Sequence, residues 1–257
     1  MGLRPLARKV VPAGLLRRRK RALRAFSDWR AGTRFASRQP PDGVLAHEWA
    51  RYSLPFIDYP GQELFSEAKR ANQRVLASFL DGVVIRPGEV FSVWRLAAEP
   101  TARRGYARAA VVRGGVLGSE PGGSICLLST VLYNVALLAG LEIVERHCHS
   151  LDYYAGRPYF ELGRDAAIEY PYLDLRVRNP HAVGLVLNVA VTGERVEAVL
   201  HGSSAREFCV SIEIAPPEEL APLPGDGGRY RVHTTRIFAS PAAMTREDLG
   251  WSTHRVP

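Results

Sequence analysis

The chain is short of cysteine, lysine and long apolar runs, and each shortage narrows what the protein can be. Three cysteines in 257 residues (Cys126, Cys148 and Cys209) cannot all pair with one another, and they are too sparse for a disulfide scaffold. No stretch approaches the roughly 20 apolar residues that cross a bilayer, so no transmembrane helix is expected. Lysine occurs only at positions 9, 20 and 69, so the basic character is carried by arginine. What is present is ordinary for a globular chain: 46% hydrophobic and 23% charged residues, in a length that suits one large domain or one and a half.

Acid is scarce at one end. Residues 1–34 hold 11 of the 34 Lys and Arg and a single acid, Asp28, which leaves 23 basic against 25 acidic residues after them. The net charge of +8 therefore belongs to a tail, while the body is close to neutral. The tail does not read as a secretion signal: its apolar patch, Val10 to Leu16, contains Pro12 and runs into Arg17–Arg21 with no small-residue cleavage site. Leu15, Leu16, Leu23, Phe26 and, with drift, Trp29 fall near one side of a helix with arginines around them. Such a helix suits an anionic membrane surface, where each Lys or Arg is worth about 1 kcal/mol. A helix packed on the body is the plainer alternative, and no nucleic acid is expected as a partner.

Proline at 40, 41, 55 and 60 marks residues 36–62 as an irregular connection. A helix is expected over Ser66–Leu80, with Ala68, Ala71, Val75 and Phe79 as its apolar stripe. A strand at Val83–Ile85, a turn at Arg86–Glu89 and a strand at Val90–Trp94 follow. Ala109–Val112 and Val116-Leu117 flank Arg113-Gly114-Gly115 as a hairpin. An apolar helix from Cys126 to Ala139 ends at Gly140, and Leu141–Ser150 reads as a strand. Strands at 172–178, 183–191 and 195–201 form an antiparallel meander, with more strand at 210–214 and 230–238. The expected fold is α+β: a mostly antiparallel sheet with a central buried helix, 126–139, and a basic N-terminal helix. The domains read as a tail at 1–36, a body at 37–205 and a C-terminal extension at 206–257.

The chemistry concentrates at Pro121 to Asn134. With Ser124 as N-cap, Cys126 falls in the first helical turn, where unpaired N–H groups and the helix dipole favour a thiolate. Gly122 and Gly123 allow a tight turn and a close ligand approach. Ser129, Thr130 and Tyr133 extend from Cys126 as one polar stripe, which needs partners or lines a cleft. An ordinary buried thiol, with Ser129 and Thr130 bonded back to their own helix, is the structural alternative. In Glu145-Arg-His-Cys-His149, strand alternation puts Glu145, His147 and His149 on one face and Arg146 and Cys148 on the other. Those histidines supply a base for Cys126, or a metal site with it. Asp165 or Asp174 can orient a histidine, or each can serve only the fold.

These residues carry a family resemblance. Arg86-Pro-Gly-Glu-Val-Phe-Ser92, Arg104-Gly-Tyr106, Gly122-Gly-Ser-Ile-Cys126 with Ser129 and Leu132-Tyr-Asn134, and Val144-Glu-Arg-His147 with His149-Ser150 resemble the VanW family. Gly163-Arg-Asp-Ala166 and Tyr172–Asn179 complete the pattern over about residues 66–202. Two positions depart from it. Ser124 stands where the family usually has a third glycine, and Leu127 stands where it usually has glutamine. The resemblance implies a bacterial cell-envelope, glycopeptide-resistance setting and does not specify a reaction.

Three readings follow. The first is a binding or accessory domain for a peptidoglycan precursor or other peptide-like ligand. Its contacts would come from Gly122, Gly123, Ser124, Ser129, Thr130, Tyr133, Asn134, Arg164 and Asp174. The second is a thiol enzyme for acyl transfer or amide hydrolysis, with Cys126 as nucleophile, His149 or His147 as base and Asp165 as orienter. The third is a metal site of Cys126, His147 and His149. No cofactor is expected. The expected location is cytoplasmic, with the tail at the inner face of the membrane.

Overall fold

A computed structural model describes residues 12–41, 43, 45–58, 65–113, 116–150, 159–223, 225 and 227–256. Arg4, Arg8, Lys9, the start of the Val10–Leu16 patch and the Gly114-Gly115 tip lie outside the described residues. The chain divides into two compact units, Met1–Thr33 and Arg34–Pro257. The first holds α1 (Ala13–Arg30), and everything else belongs to the second.

The second unit is α+β, as its patterning implies, and all its named strand pairs are antiparallel. β1 (His47–Pro55), β9 (Arg195–Gly202), β8 (Leu185–Val191) and β2 (Val83–Ile85) form one sheet in that order. β3 (Val90–Ser92), β7 (Arg176–Arg178) and β6 (Glu142–Glu145) form another, and β4 (Arg108–Arg113) pairs with β5 (Val116–Pro121). The C-terminal sheet pairs β10 (Cys209–Ile214) and β11 (Glu218–Glu219) with β12 (Gly228–Ala239), which also pairs with β13 (Met244–Val256). No helix among the described residues is long and apolar enough to cross a membrane.

α2 (Ser66–Leu80) and α4 (Cys126–Leu138) lie where the periodicity puts them. α4 packs on β1 and β9, and Leu127 to Leu137 are all buried. Its C-terminus closes in a Schellman arrangement: Gly140, at φ +74°, donates to Leu137 O, and Leu141 N–H donates to Ala136 O. α2 buries Asn72, Gln73, Leu76, Ala77 and Leu80, so the Ala71–Val75–Phe79 stripe is only half-buried at its edge.

Five other expectations change. Residues 36–62 contain β1, whose alternation is hidden by a register shift between Glu48 and Ala50. The 90–94 strand stops at Ser92 because its hydroxyl accepts from Arg95 N–H and caps α3 (Val93–Ala97). The 141–150 strand stops at Glu145. The 172–201 run is not a meander of one sheet: β7 joins β3 and β6, whereas β8 and β9 form a hairpin in another sheet. β13 was not anticipated at all, because its polar sequence carries little apolar alternation.

Candidate functional site

The helix start that carries Cys126 is built by its neighbours. A Cβ on Gly123 would lie 2.2 Å from the Ala109 carbonyl oxygen, so only glycine allows this turn to sit so close to β4. Ser124 is not the N-cap. It holds φ +62°, its hydroxyl donates to Ala110 O at 3.0 Å, and Ile125 takes the cap position without a side-chain bond. That left-handed backbone explains why glycine suits this position and why serine there carries strain. Cys126 is nonetheless the first residue of the helix, as expected.

Two buried amides of α2 clamp the turn. Asn72 Nδ2 donates to Ala107 O and Gly123 O, each at 3.0 Å, and its Oδ1 accepts from Ala107 N–H at 2.8 Å. Gln73 Nε2 donates to Ser124 O at 2.5 Å, and its Oε1 accepts from Leu128 N–H at 3.2 Å. That last bond occupies one helix-start donor. The N–H groups of Cys126 and Leu127 still precede any intrahelical acceptor.

The polar stripe of α4 finds partners in the segment that carries Asp165. Ser129 Oγ donates to Ala166 O at 2.6 Å, and Thr130 Oγ1 accepts from Ala166 N–H at 3.1 Å. Asn134 Nδ2 donates to Arg164 O at 2.8 Å, and Arg164 Nε donates to Asn134 Oδ1 at 2.7 Å. Ser129, Thr130, Tyr133 and Asn134 are all buried. The stripe thus holds residues 164–166 against the helix, and buried polar groups are satisfied by that contact.

Asp165, fully buried, is the hub. Its Oδ2 accepts from His149 N–H at 2.5 Å and faces His149 Nδ1 at 2.7 Å. Its Oδ1 accepts from Arg146 Nη2 at 2.7 Å, and its carbonyl accepts from Arg146 Nε at the same distance. Burial by itself would raise the carboxyl, but the His149 and Arg146 contacts outweigh it and hold Asp165 below its usual range. For His149, burial opposes the charged ring. The Asp165 bond and the interaction with the Cys126 side chain overcome that, pushing the imidazole up to about 10. Nδ1 is engaged by Asp165, and Nε2 lies 3.3 Å from the Tyr159 hydroxyl. The ring stacks on Phe160 at 5.2 Å between centroids. In this arrangement the Cys126 thiol donates a weak bond to Ile168 O at 3.7 Å.

The other sequence candidates lie elsewhere. His147 Nε2 faces Glu145 Oε1 at 3.1 Å, with its side chain 37% exposed. It does not share a strand face with His149, because β6 has already ended and alternation no longer applies. Arg146, assigned by alternation to the opposite face, instead reaches Asp165 beside His149. Asp174 is buried, accepts from Ser92 Oγ at 2.6 Å and caps α3 through Trp94 N–H at 3.2 Å. It orients backbone and hydroxyl rather than a histidine. No group of three or more His, Cys, Asp or Glu side chains among the described residues forms a metal-ligand cluster, so the Cys126–His147–His149 set does not assemble as one.

Several contributors were not legible in the sequence. Asn72, Gln73, Tyr159 and Phe160 gave no signal beyond polar or aromatic character. The C-terminal sheet also reaches the site: Arg146 Nη1 donates to Ser252 Oγ at 2.7 Å, and Arg255 N–H donates to Ser150 O at 3.0 Å. His254 is fully buried and stacks near Tyr230 and Phe160, at 5.6 and 6.3 Å. Neither of its ring nitrogens has a well-placed hydrogen-bond partner among the described residues, and burial lowers its pKa.

Cys126, His149 and Asp165 all fall within residues 68–201, which match the family model described as VanW like protein. The chain is 29% identical over 160 residues to the uncharacterized protein YoaR of Bacillus subtilis (strain 168), covering 62% of this chain and 51% of that one. It is 34% identical over 117 residues to the vancomycin B-type resistance protein VanW of Enterococcus faecalis (strain ATCC 700802 / V583), covering 45% and 42%. The chain thus spans about half the length of these relatives or less. No solved structure matches it. Because the matched stretch is more than half of the chain and contains the whole Cys–His–Asp arrangement, the chain belongs to the VanW family.

Proposed function

We propose that this protein is a thiol enzyme of the bacterial cell envelope, acting by acyl transfer or amide hydrolysis on a peptide-like ligand such as a peptidoglycan precursor. The observation that carries the reading is the His149 ring, held by the buried Asp165 and interacting electrostatically with Cys126, the first residue of α4. The raised imidazole gives Cys126 a protonated acid–base partner at neutral pH. The thiolate adds to the acyl carbon, forming a C–S bond as the carbonyl electron pair moves to oxygen. The N–H groups of Cys126 and Leu127 are the donors nearest that oxyanion. Collapse of the adduct expels the amine, which takes the proton from His149 Nε2. Water or an acceptor amine then returns a proton to His149, attacks the thioester and releases the thiolate. The setting rests on the family, one of whose members is named a vancomycin-resistance protein.

A second reading, recognition of the same ligand without turnover, is favoured by two observations. Leu127 stands where the family resemblance implies glutamine, and Gln73 occupies the Leu128 N–H. Alkylation separates the two in a chain carrying Cys148→Ser and Cys209→Ser. An enzyme thiol reacts with iodoacetamide at pH 6 faster than a free thiol does, and His149→Ala removes that advantage. An ordinary rate, unchanged by His149→Ala, overturns the enzyme reading and directs attention to muropeptide binding.

A further inference from the structure

α1 departs from what a helix in a folded protein normally does with its apolar side. Leu15, Leu16, Leu23, Phe26 and Trp29 are 43–76% exposed, and no other described element of the chain contributes so many exposed large apolar side chains. Their order along the helix brings them to one broad arc with Ala22, since Leu16 and Leu23 are seven apart and Phe26 and Trp29 follow at steps of three. The Phe26 and Trp29 rings lie 5.9 Å apart, so the C-terminal part of the arc is a continuous aromatic patch. Arg17, Lys20, Arg21 and Arg24 occupy the opposite side, and Arg19 and Arg30 fall within the apolar arc, where long side chains can lift their charge to its edge.

A partner for this helix must meet two demands together. It must be acidic, because residues 1–34 carry ten more positive than negative charges while the rest of the chain is slightly acidic. It must also offer an apolar interior to the leucines and an interfacial layer to the aromatics. Nucleic acid meets the first demand and fails the second. We infer that α1 binds flat on an anionic lipid surface, its arc in the acyl boundary and its bases among the headgroups. Eighteen residues make a helix about 27 Å long, and its seven bases keep it in the interface rather than across the bilayer. Trp29 and Phe26 sit at the depth where aromatic side chains anchor. The helix forms its own compact unit, so it can tether the protein without altering the fold of residues 34–257.

The test uses the whole chain and vesicles of equimolar phosphatidylglycerol and phosphatidylcholine, with pure phosphatidylcholine as control. Co-sedimentation is expected only with the anionic vesicles. A Leu23→Glu/Phe26→Glu chain should bind at least ~10-fold more weakly with its thermal unfolding unchanged, because each carboxylate must enter the apolar boundary. A chain with Arg17, Arg21 and Arg24 changed to Gln should weaken binding as well, and its salt dependence should be shallower than the parent's. Trp29 fluorescence, taken as the difference from Trp29→Phe, should shift to the blue on binding. Failure to sediment with anionic vesicles overturns the inference. So does equal binding by the Leu23→Glu/Phe26→Glu chain, or retention of an RNA oligonucleotide in preference to vesicles, which would assign the helix to nucleic acid. Because the thiol site is not involved, none of these outcomes bears on Cys126.

Discussion

His147 and His149 stand two residues apart in the same stretch, and their side chains are 37% and 22% exposed, yet the fold gives them carboxylate partners of different burial. His147 is more than one-third exposed and faces Glu145, a carboxylate that also accepts from Asp174 N–H. His149 stacks on Phe160 and faces a fully buried Asp165 that Arg146 also holds. Both are imidazoles beside carboxylates. The difference is solvent: an exposed pair is screened, and a buried carboxylate with two cationic neighbours is not. The lesson is that a histidine's partner tells less about its role than where that partner is buried.

The largest test of the contrast is Asp165→Asn. It leaves Arg146 without its buried counter-ion, and breaking such a pair costs about 3–5 kcal/mol of stability, measurable as a shift in the denaturant midpoint. It should also abolish the His149-dependent alkylation of Cys126. Retained reactivity in a folded Asp165→Asn chain would separate Asp165 from the thiol. Next, His149→Ala should slow Cys126 alkylation at neutral pH by roughly 10-fold, since a free thiol is already a few per cent ionised there, whereas His147→Ala should leave it within about twofold. Equal effects of the two substitutions would end the distinction drawn above.

The pH dependence of unfolding sharpens the same comparison. The folded pKa of His149 is raised from 6.5 to about 10, so its contribution is fully present below about pH 6.5 and is lost as pH rises through about 10. The loss should be absent in His149→Ala and intact in His147→Ala, as followed by thermal melts across that window. Asp165 has the opposite sign: its contribution is present above its usual carboxylate range and is lost in acid. The smallest expected effects lie at Ser124, whose positive φ a β-branched residue tolerates poorly. Ser124→Val should cost about 1–3 kcal/mol. Ser124→Gly should stay within about 1 kcal/mol of the parent, relief of strain offsetting the lost bond to Ala110 O.

Much of this was legible along the chain because it is local. α2 and α4, the turn at Gly82, the helix stop at Gly140 and the β8–β9 hairpin follow from apolar spacing and glycine position. So did the grouping of Cys126, His149 and Asp165 as candidates. What misled was extrapolating a local period past its end. Carrying strand alternation beyond Glu145 put His147 with His149 and sent Arg146 away, and the chain left the sheet before any of them. Asn72 and Gln73 were invisible for another reason: their partners, Gly123, Ser124 and Leu128, lie about 50 residues away.

The sequence by itself determined the α+β class, the placement of Cys126 at a helix start, the basic amphipathic character of α1 and the family. These depend on residue spacing and on motifs read in order. Only the tertiary structure decided that the polar stripe of α4 grips the Asp165 segment, that His149 rather than His147 completes the arrangement, and that β13 supplies Ser252 and His254 behind it. Those outcomes turn on which groups lose water together, and desolvation belongs to the packed molecule rather than to any stretch of chain.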